Sequence, residues 1–333
     1  MRDYQISTLN AENNQLKSIM KPDKKDCYEI ITERIINLLN QGEIPWRKPW
    51  KSNSGFPRNL ISGKPYRGVN VFLLHSLHYE SPFFLTFKQV LDLGGNVRKG
   101  EKACPVVFWK KWDKLNADGS KESIPMMRFY YVFNIAQCEN IPADKLPVVV
   151  DAETVADDCD YSRAGQIWQE MPNKPLLKHG MAKAYYSPAG DYIGMPDDTR
   201  FATRGHYYAT LFHETTHATG HSTRLDRRQP DEDRSYGSAD YSKEELCAEM
   251  GSAFLCGMAG IGDTSGLIEN SAAYIANWLH ALRNDKRLVV QAAGLAQRAA
   301  DYILNVKHEE TAEPTRISSE VTVTVDTTAT VNA

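Results

Sequence analysis

In "DCYEIITERIINLLNQGEIPW" the apolar positions Ile30, Ile31, Ile35, Leu38 and Leu39 recur at the spacing of one helix face. Gly42 and Pro45 supply the stop. "SPFFLTFKQVLDLGGNV" reads as a capped helix ending at Gly94 and Gly95. "PVVFWKKW" and "RFYYVFNIAQ" are dense in aromatic and β-branched residues and predict strands, with "LNADGSKES" as a loop around Asp118 and Gly119. The proline-dotted, acidic "ENIPADKLPVVVDAETVADDCD" breaks the pattern and marks a domain boundary. Beyond it, "MAKAYYSPAGDYIGMP" predicts a hairpin turning near Pro188–Gly190. Three helical stretches follow at about 205–219, 242–258 and 271–304, the last interrupted near Asn284 and Asp285.

These elements predict an α+β protein of two domains, 24–142 and 143–305. Residues 1–23 are polar and read as a flexible N-terminal arm, and the acidic, Ser/Thr-rich 306–333 as a disordered C-terminal tail.

The net charge of −3 hides an asymmetry. Residues 51–114 carry eleven Lys/Arg against four Asp/Glu, a net +7; residues 141–305 carry sixteen against twenty-three, a net −7. The first part is suited to meeting anions and the second is not. Six cysteines are scattered without a CxxC pair, which favours reduced thiols and predicts a cytoplasmic protein. The N-terminus lacks the apolar centre of a secretory signal, and no apolar run reaches the roughly 20 residues of a membrane helix, so no membrane partner is expected.

The chemistry concentrates in "LFHETTHATGHSTRL". On a helix His213 and His217 stack on one face and can share an ion, and Glu214, rotated by roughly 100°, can sit beside that ion without ligating it. Zinc lowers the pKa of a water from about 15.7 to near 7, and a carboxylate at that place accepts the proton. A catalytic site also needs a third protein ligand. Thr223 stands where the metzincin pattern requires a histidine. His221, eight residues past His213, would lie about 12 Å away along a continuous helix. The remaining source is "YSKEELCAEMGSAFLCGM", which offers Glu244, Glu245 and Glu249, with Ala248, Gly251, Ser252 and Ala253 small enough for a close helix approach. Glu245 and Glu249 share a face, which suits one ligand and one carboxylate that orients an imidazole; Glu244 is expected on a solvated face.

"HETTH" followed by "EELCAEMGSAFL" resembles the gluzincin type of zinc peptidase. The resemblance implies Glu245 as third ligand, Glu249 as its supporting neighbour, Glu214 as general base, and the hairpin as the edge strand of a peptide cleft. Zinc is the implied ion, with manganese or another divalent cation as alternatives. A donor to the oxyanion is expected from Tyr236, Tyr241 or His221.

Upstream, aromatic and basic residues interleave: Trp46, Arg47, Lys48, Trp50, Arg58, Tyr66 and Arg67, then Arg98, Lys99, Lys102 and Lys110 beside Trp109 and Trp112. Single-stranded nucleic acid binds by backbone charge and by bases stacked on rings, so these are the candidate DNA-binding residues. Alternate residues of a strand face inward, so one of Trp109 and Trp112 is expected to be buried. "ITERIINLLNQGEIPWRKPW", "PRNLISGKPYRGVNVFLL", "LGGNVRKGEKACPVVFWK" and "ENSAAYIANWLHALRNDKRLVVQAAGLAQRAADYIL" together resemble the ArdC-type antirestriction proteins of conjugative plasmids and other mobile elements, over roughly residues 26–305. That resemblance implies a single-stranded-DNA-binding N-terminal domain joined to a zincin-like metallopeptidase domain. It implies protection of incoming DNA. Joining the two domains suggests a peptidase delivered to proteins on DNA, of which a restriction component is one candidate substrate. The alternative is a DNA-coating protein whose metal site is structural or idle.

Overall fold

Asp26 opens the first helix, α1 (Cys27–Asn40), with a capping box: its side chain accepts from the Glu29 amide at 2.8 Å while its own amide donates to the Glu29 carboxylate at 3.1 Å. The computed structural model describes residues 25–47, 55–115, 121–147, 161–227, 238–262 and 272–306. The terminal arm and tail, the 116–120 loop, and Lys48, Trp50 and Tyr236 lie outside these residues.

A four-stranded sheet follows in the order β1 (Arg58–Asn59), β2 (Phe83–Leu85), β5 (Lys121–Asn134), β4 (Cys104–Leu115). β4 and β5 form a long antiparallel ribbon in which Cys104 faces Val132 and Leu115 faces Lys121. Two short helices, α2 (Val69–His75) and α3 (Phe87–Asp92), and a small pair, β3 (Asn96–Val97) with β6 (Cys138–Glu139), complete this part.

The stretch read as one helix from Ser81 divides. Phe84 and Leu85 are buried and pair with Asn134 and Phe133 of β5, so they are strand; Thr86 then caps α3 by a capping box with Gln89. The sequence pattern does not pick out α2. Six of its seven residues are buried, so it has no polar face to reveal a period.

The second part begins with α4 (Ser162–Glu170) and a three-stranded sheet in the order β7 (Leu176–Lys178), β9 (Tyr192–Gly194), β8 (Tyr185–Ser187). β7 runs parallel to β9, and β8 runs antiparallel to β9 and forms an edge. Four helices follow: α5 (Arg204–Ala218), α6 (Ala239–Ala259), α7 (Ala272–Asn284) and α8 (Leu288–Ile303). The interruption expected near Asn284 separates α7 from α8. Thr203 caps α5, Ser238 caps α6, and Gly260 ends α6 at φ 72°, the left-handed conformation that glycine adopts without strain.

The two parts share one apolar core. Ile31 and Ile35 of α1 and Phe72 and Leu73 of α2 lie in the same cluster as Phe254 of α6 and Val289 and Ala293 of α8. Phe72 stacks on Phe254 with ring centroids 4.8 Å apart. A smaller cluster of Trp168, Ile193, Met195, Leu211 and Ala218 seats the three-stranded sheet on α5. Among the described residues no helix is long and apolar enough to cross a membrane.

Candidate functional site

α5 carries "HETTH" with its threonines turned inward. Thr215 and Thr216 are fully buried, and each hydroxyl donates to the carbonyl four residues back, Leu211 at 2.6 Å and Phe212 at 2.8 Å. His213 and His217 project from a neighbouring face of the same helix. α6 packs across it closely: Ser252 donates to the Ala209 carbonyl at 2.7 Å, and Gly251 lies directly against Thr216. The small residues of α6 therefore permit the approach that the sequence predicts.

That approach brings Glu245 to the imidazoles. Its carboxylate lies 3.6 Å from His213 Nε2 and 3.5 Å from His217 Nε2, and the two Nε2 atoms are 3.1 Å apart. Donors held tetrahedrally at about 2.0–2.1 Å from one ion lie about 3.3 Å from each other, so this set fits a zinc-sized cation. Neutral imidazole nitrogens and a carboxylate are also acceptable to manganese. Burial opposes a charge on His213, but the contact with Glu245 and the negative field of Glu214 and Glu249 outweigh it and lift its pKa to about 9. Burial pushes the Glu245 carboxyl up, and His213 and His217 hold it below its ordinary value.

The carboxylate beside the outer nitrogen of His217 is Glu244 and not Glu249. Glu244 Oε1 lies 2.9 Å from His217 Nδ1. Arg227 donates to both Glu244 oxygens, at 2.7 and 3.2 Å, and to the Thr216 carbonyl at 2.7 Å. The expectation that Glu244 begins a solvated face is thus corrected. α6 crosses α5 at an angle that puts Glu244 beside the outer nitrogen of His217. Glu249, one turn beyond Glu245, instead receives hydrogen bonds from Arg47 at 3.0 and 3.3 Å. It contributes to the field at His213 but its hydrogen bonds run to the N-terminal part of the chain. Glu244 is among the three carboxylates the sequence offers, but its place beside His217, like that of Arg227, depends on a helix crossing that the sequence does not show.

A cavity of about 370 Å³ opens on this cluster. Glu214 lines it beside the three donors, with Asp240 and Tyr241 of α6, Tyr185 and Tyr186 of β8, and Ala184 just before that strand. Arg224 pins that strand. It donates to Asp191 in the hairpin turn, to the Tyr186 hydroxyl at 3.2 Å and to the Ala218 carbonyl at 2.7 Å, where α5 ends. His221 is turned to Thr223, 2.9 Å away, and is not among the residues lining the cavity.

Comparison with known proteins agrees with this architecture. Residues 169–295 match the zincin-like metallopeptidase family, and residues 25–133 match the N-terminal domain of anti-restriction factor ArdC. The crystal structure of the antirestriction protein ArdC from plasmid R388, in its metal-free form, is 37% identical and superposes with a TM-score of 0.66, covering 84% of this chain and 97% of that one. The chain belongs to the ArdC family of antirestriction proteins. The Mn(II)-bound form of the R388 protein gives a TM-score of 0.65 over the same share of the chain. An uncharacterized protein of Sinorhizobium fredii, y4eC, is 36% identical over 293 residues and 91% of its length. A DNA primase TraC of Escherichia coli is 34% identical over 314 residues, and there the chain spans only 28% of the relative's length.

The ArdC-like N-terminal part holds the residues expected to meet DNA, and many are engaged inside the protein. Trp46 is 3% exposed and packs edge-on to Trp278 of α7. Arg47 lies over the Tyr274 ring as well as on Glu249. Tyr66 is buried edge-on to Phe84, and burial pushes its hydroxyl pKa well up. Arg67 pairs with Asp301, Arg98 with Glu101, and Arg58 donates to the Phe56 carbonyl. Lys99, Lys102 and Lys110 are exposed. Trp109 and Trp112 are both exposed, at 59% and 51%, so neither is the buried partner the strand alternation predicts. Among the described residues no strand besides β4 and β5 pairs along the outer part of the ribbon, and its rings stay exposed.

Proposed function

We propose that this ArdC-family protein binds single-stranded DNA and carries a divalent-metal-dependent peptidase site acting on a protein of the restriction machinery. The observation that supports catalysis is the company of the three donors. Two imidazoles and a single carboxylate are one protein donor short of the four that a structural zinc site would use, and Glu214 lies in the same cavity. A purely structural site gains nothing from either. His213, His217 and Glu245 would hold a divalent cation, which when bound would act as a Lewis acid toward a carbonyl and lower the pKa of water. Glu214 accepts the proton and returns it to the leaving amine. Tyr241 is the described candidate for donating to the oxyanion. An extended peptide aligns along β8, the edge strand of its sheet among the described residues, through main-chain hydrogen bonds that demand no particular side chain. The basic N-terminal part brings the site to proteins on DNA.

The experiment is Glu214→Ala. It is expected to keep zinc or manganese binding and DNA binding unchanged and to abolish protection of incoming DNA in a restriction assay. Full protection by that variant would assign the effect to DNA coating and remove the peptidase from the mechanism.

A further inference from the structure

We infer that the single strand lies on one face of the β4–β5 ribbon, the face carrying Tyr130, Phe108, Arg128, Lys110 and Trp112; this rests on the DNA-binding reading proposed above. Residues paired across an antiparallel ladder share a face. The register pairs Val106 with Tyr130, Phe108 with Arg128, Lys110 with Met126 and Trp112 with Ile124, so these side chains project together. Val106 anchors the inner end of that face in the core, fully buried. Outward from it Phe108, Lys110, Trp112, Arg128 and Tyr130 are all exposed.

The order of chemistry along this face is what selects the ligand. Phe108 and Tyr130 form an edge-to-face pair with centroids 5.6 Å apart. Arg128 and Lys110 come next, and Trp112 follows. Tyr130, level with Val106, and Trp112 are six strand residues apart along this face, about 20 Å, with Arg128 and Lys110 between them. Exposed rings alone would suit another protein, and exposed cations alone would suit any polyanion. Rings at both ends of a cationic stretch suit a flexible polyanion with unpaired flat bases, where phosphates meet the cations and bases stack on the rings. A duplex keeps its bases paired and stacked, so it offers the rings nothing. The opposite face carries Phe129, Tyr131 and Trp109, and its Val107 and Met127 pack onto the core. At the inner end both faces reach the core, through Cys104, Val106 and Val132 on the first and Val107 and Met127 on the second.

The test measures binding of the full chain to a fluorescent oligo(dT) and to a duplex of equal length, across a salt series. Phe108→Leu with Trp112→Ala is expected to weaken oligo(dT) binding by about ten-fold or more while keeping the salt slope. Lys110→Gln with Arg128→Gln is expected to reduce the slope of log K against log salt by about 1.4, the effect of two phosphate contacts on a single strand. Trp109→Ala, on the other face, is expected to bind as wild type. Circular dichroism confirms that each variant is folded. Wild-type affinity in both double variants, with wild-type protein binding oligo(dT), overturns the ribbon assignment and leaves the DNA reading intact. Failure of the wild-type protein to bind oligo(dT) overturns that reading and this inference together.

Discussion

His217 shows how one residue acquires its chemistry from two directions. Its Nε2 faces His213 and Glu245, and its Nδ1 lies 2.9 Å from a carboxylate that Arg227 holds with two hydrogen bonds. A proton on Nδ1 donated to Glu244 leaves the Nε2 lone pair for a cation and fixes the ring plane. Removing this support is expected to reduce metal affinity by about 10- to 100-fold. Glu244→Ala, titrated with zinc or manganese by calorimetry, checks this; unchanged affinity would reduce Glu244 to a partner of Arg227. Within one helix the sequence already reveals such relations, and so His213, Glu214 and His217 are legible in "HETTH". Glu244 is not, because whether it faces water or His217 depends on how α6 lies across α5.

Between elements, the decisive contact is Gly251 on Thr216. A Cβ added at Gly251 would lie 2.5 Å from Thr216 Cγ2 and 2.6 Å from its hydroxyl. That hydroxyl is committed to the Phe212 carbonyl, so the side chain cannot swing away without losing a buried hydrogen bond. Alanine gains about 1 kcal/mol of helix propensity over glycine, whereas overpacking costs about 1–3 kcal/mol. We expect Gly251→Ala to push α6 off α5, lower stability in urea and weaken metal binding, because Glu245 moves with the helix. Thr216→Ala in the same chain is expected to restore metal binding, which separates the clash from a general loss of fold. The sequence makes the small-residue face visible; the particular partner is set by register. The same reasoning explains Phe83–Leu85. Its pattern is compatible with a helix, and pairing with β5 decided for strand.

For the whole molecule, Arg47 ties the two family regions together. It reaches Glu249 on the helix that carries Glu245, with both side chains about 10% exposed, and lies 3.8 Å from the Tyr274 ring centre. Its loss leaves the largely covered Glu249 carboxylate without that partner. Arg47→Ala is therefore expected to cost about 3–5 kcal/mol. Because α1, α2, α6 and α8 share one core, denaturant unfolding is expected as a single transition. Tryptophan fluorescence and far-ultraviolet dichroism should give coincident curves. Two separate transitions would mean that the halves fold independently and that Arg47 acts only locally.

The sequence by itself determined what is local. It set the HExxH helix, the break between α7 and α8, the hairpin and the strands of the ribbon, because helix and strand periods and turn residues act over a few positions. It also set the charge asymmetry, which is a sum over residues and needs no coordinates. The tertiary structure decided which aromatic and basic residues are spent on the fold. Trp46, Arg47, Tyr66 and Trp112 look alike in composition, yet the first three are packed against partners contributed by distant segments and Trp112 is exposed. Burial is a property of what approaches from elsewhere in the chain, and no short window of sequence contains that neighbour.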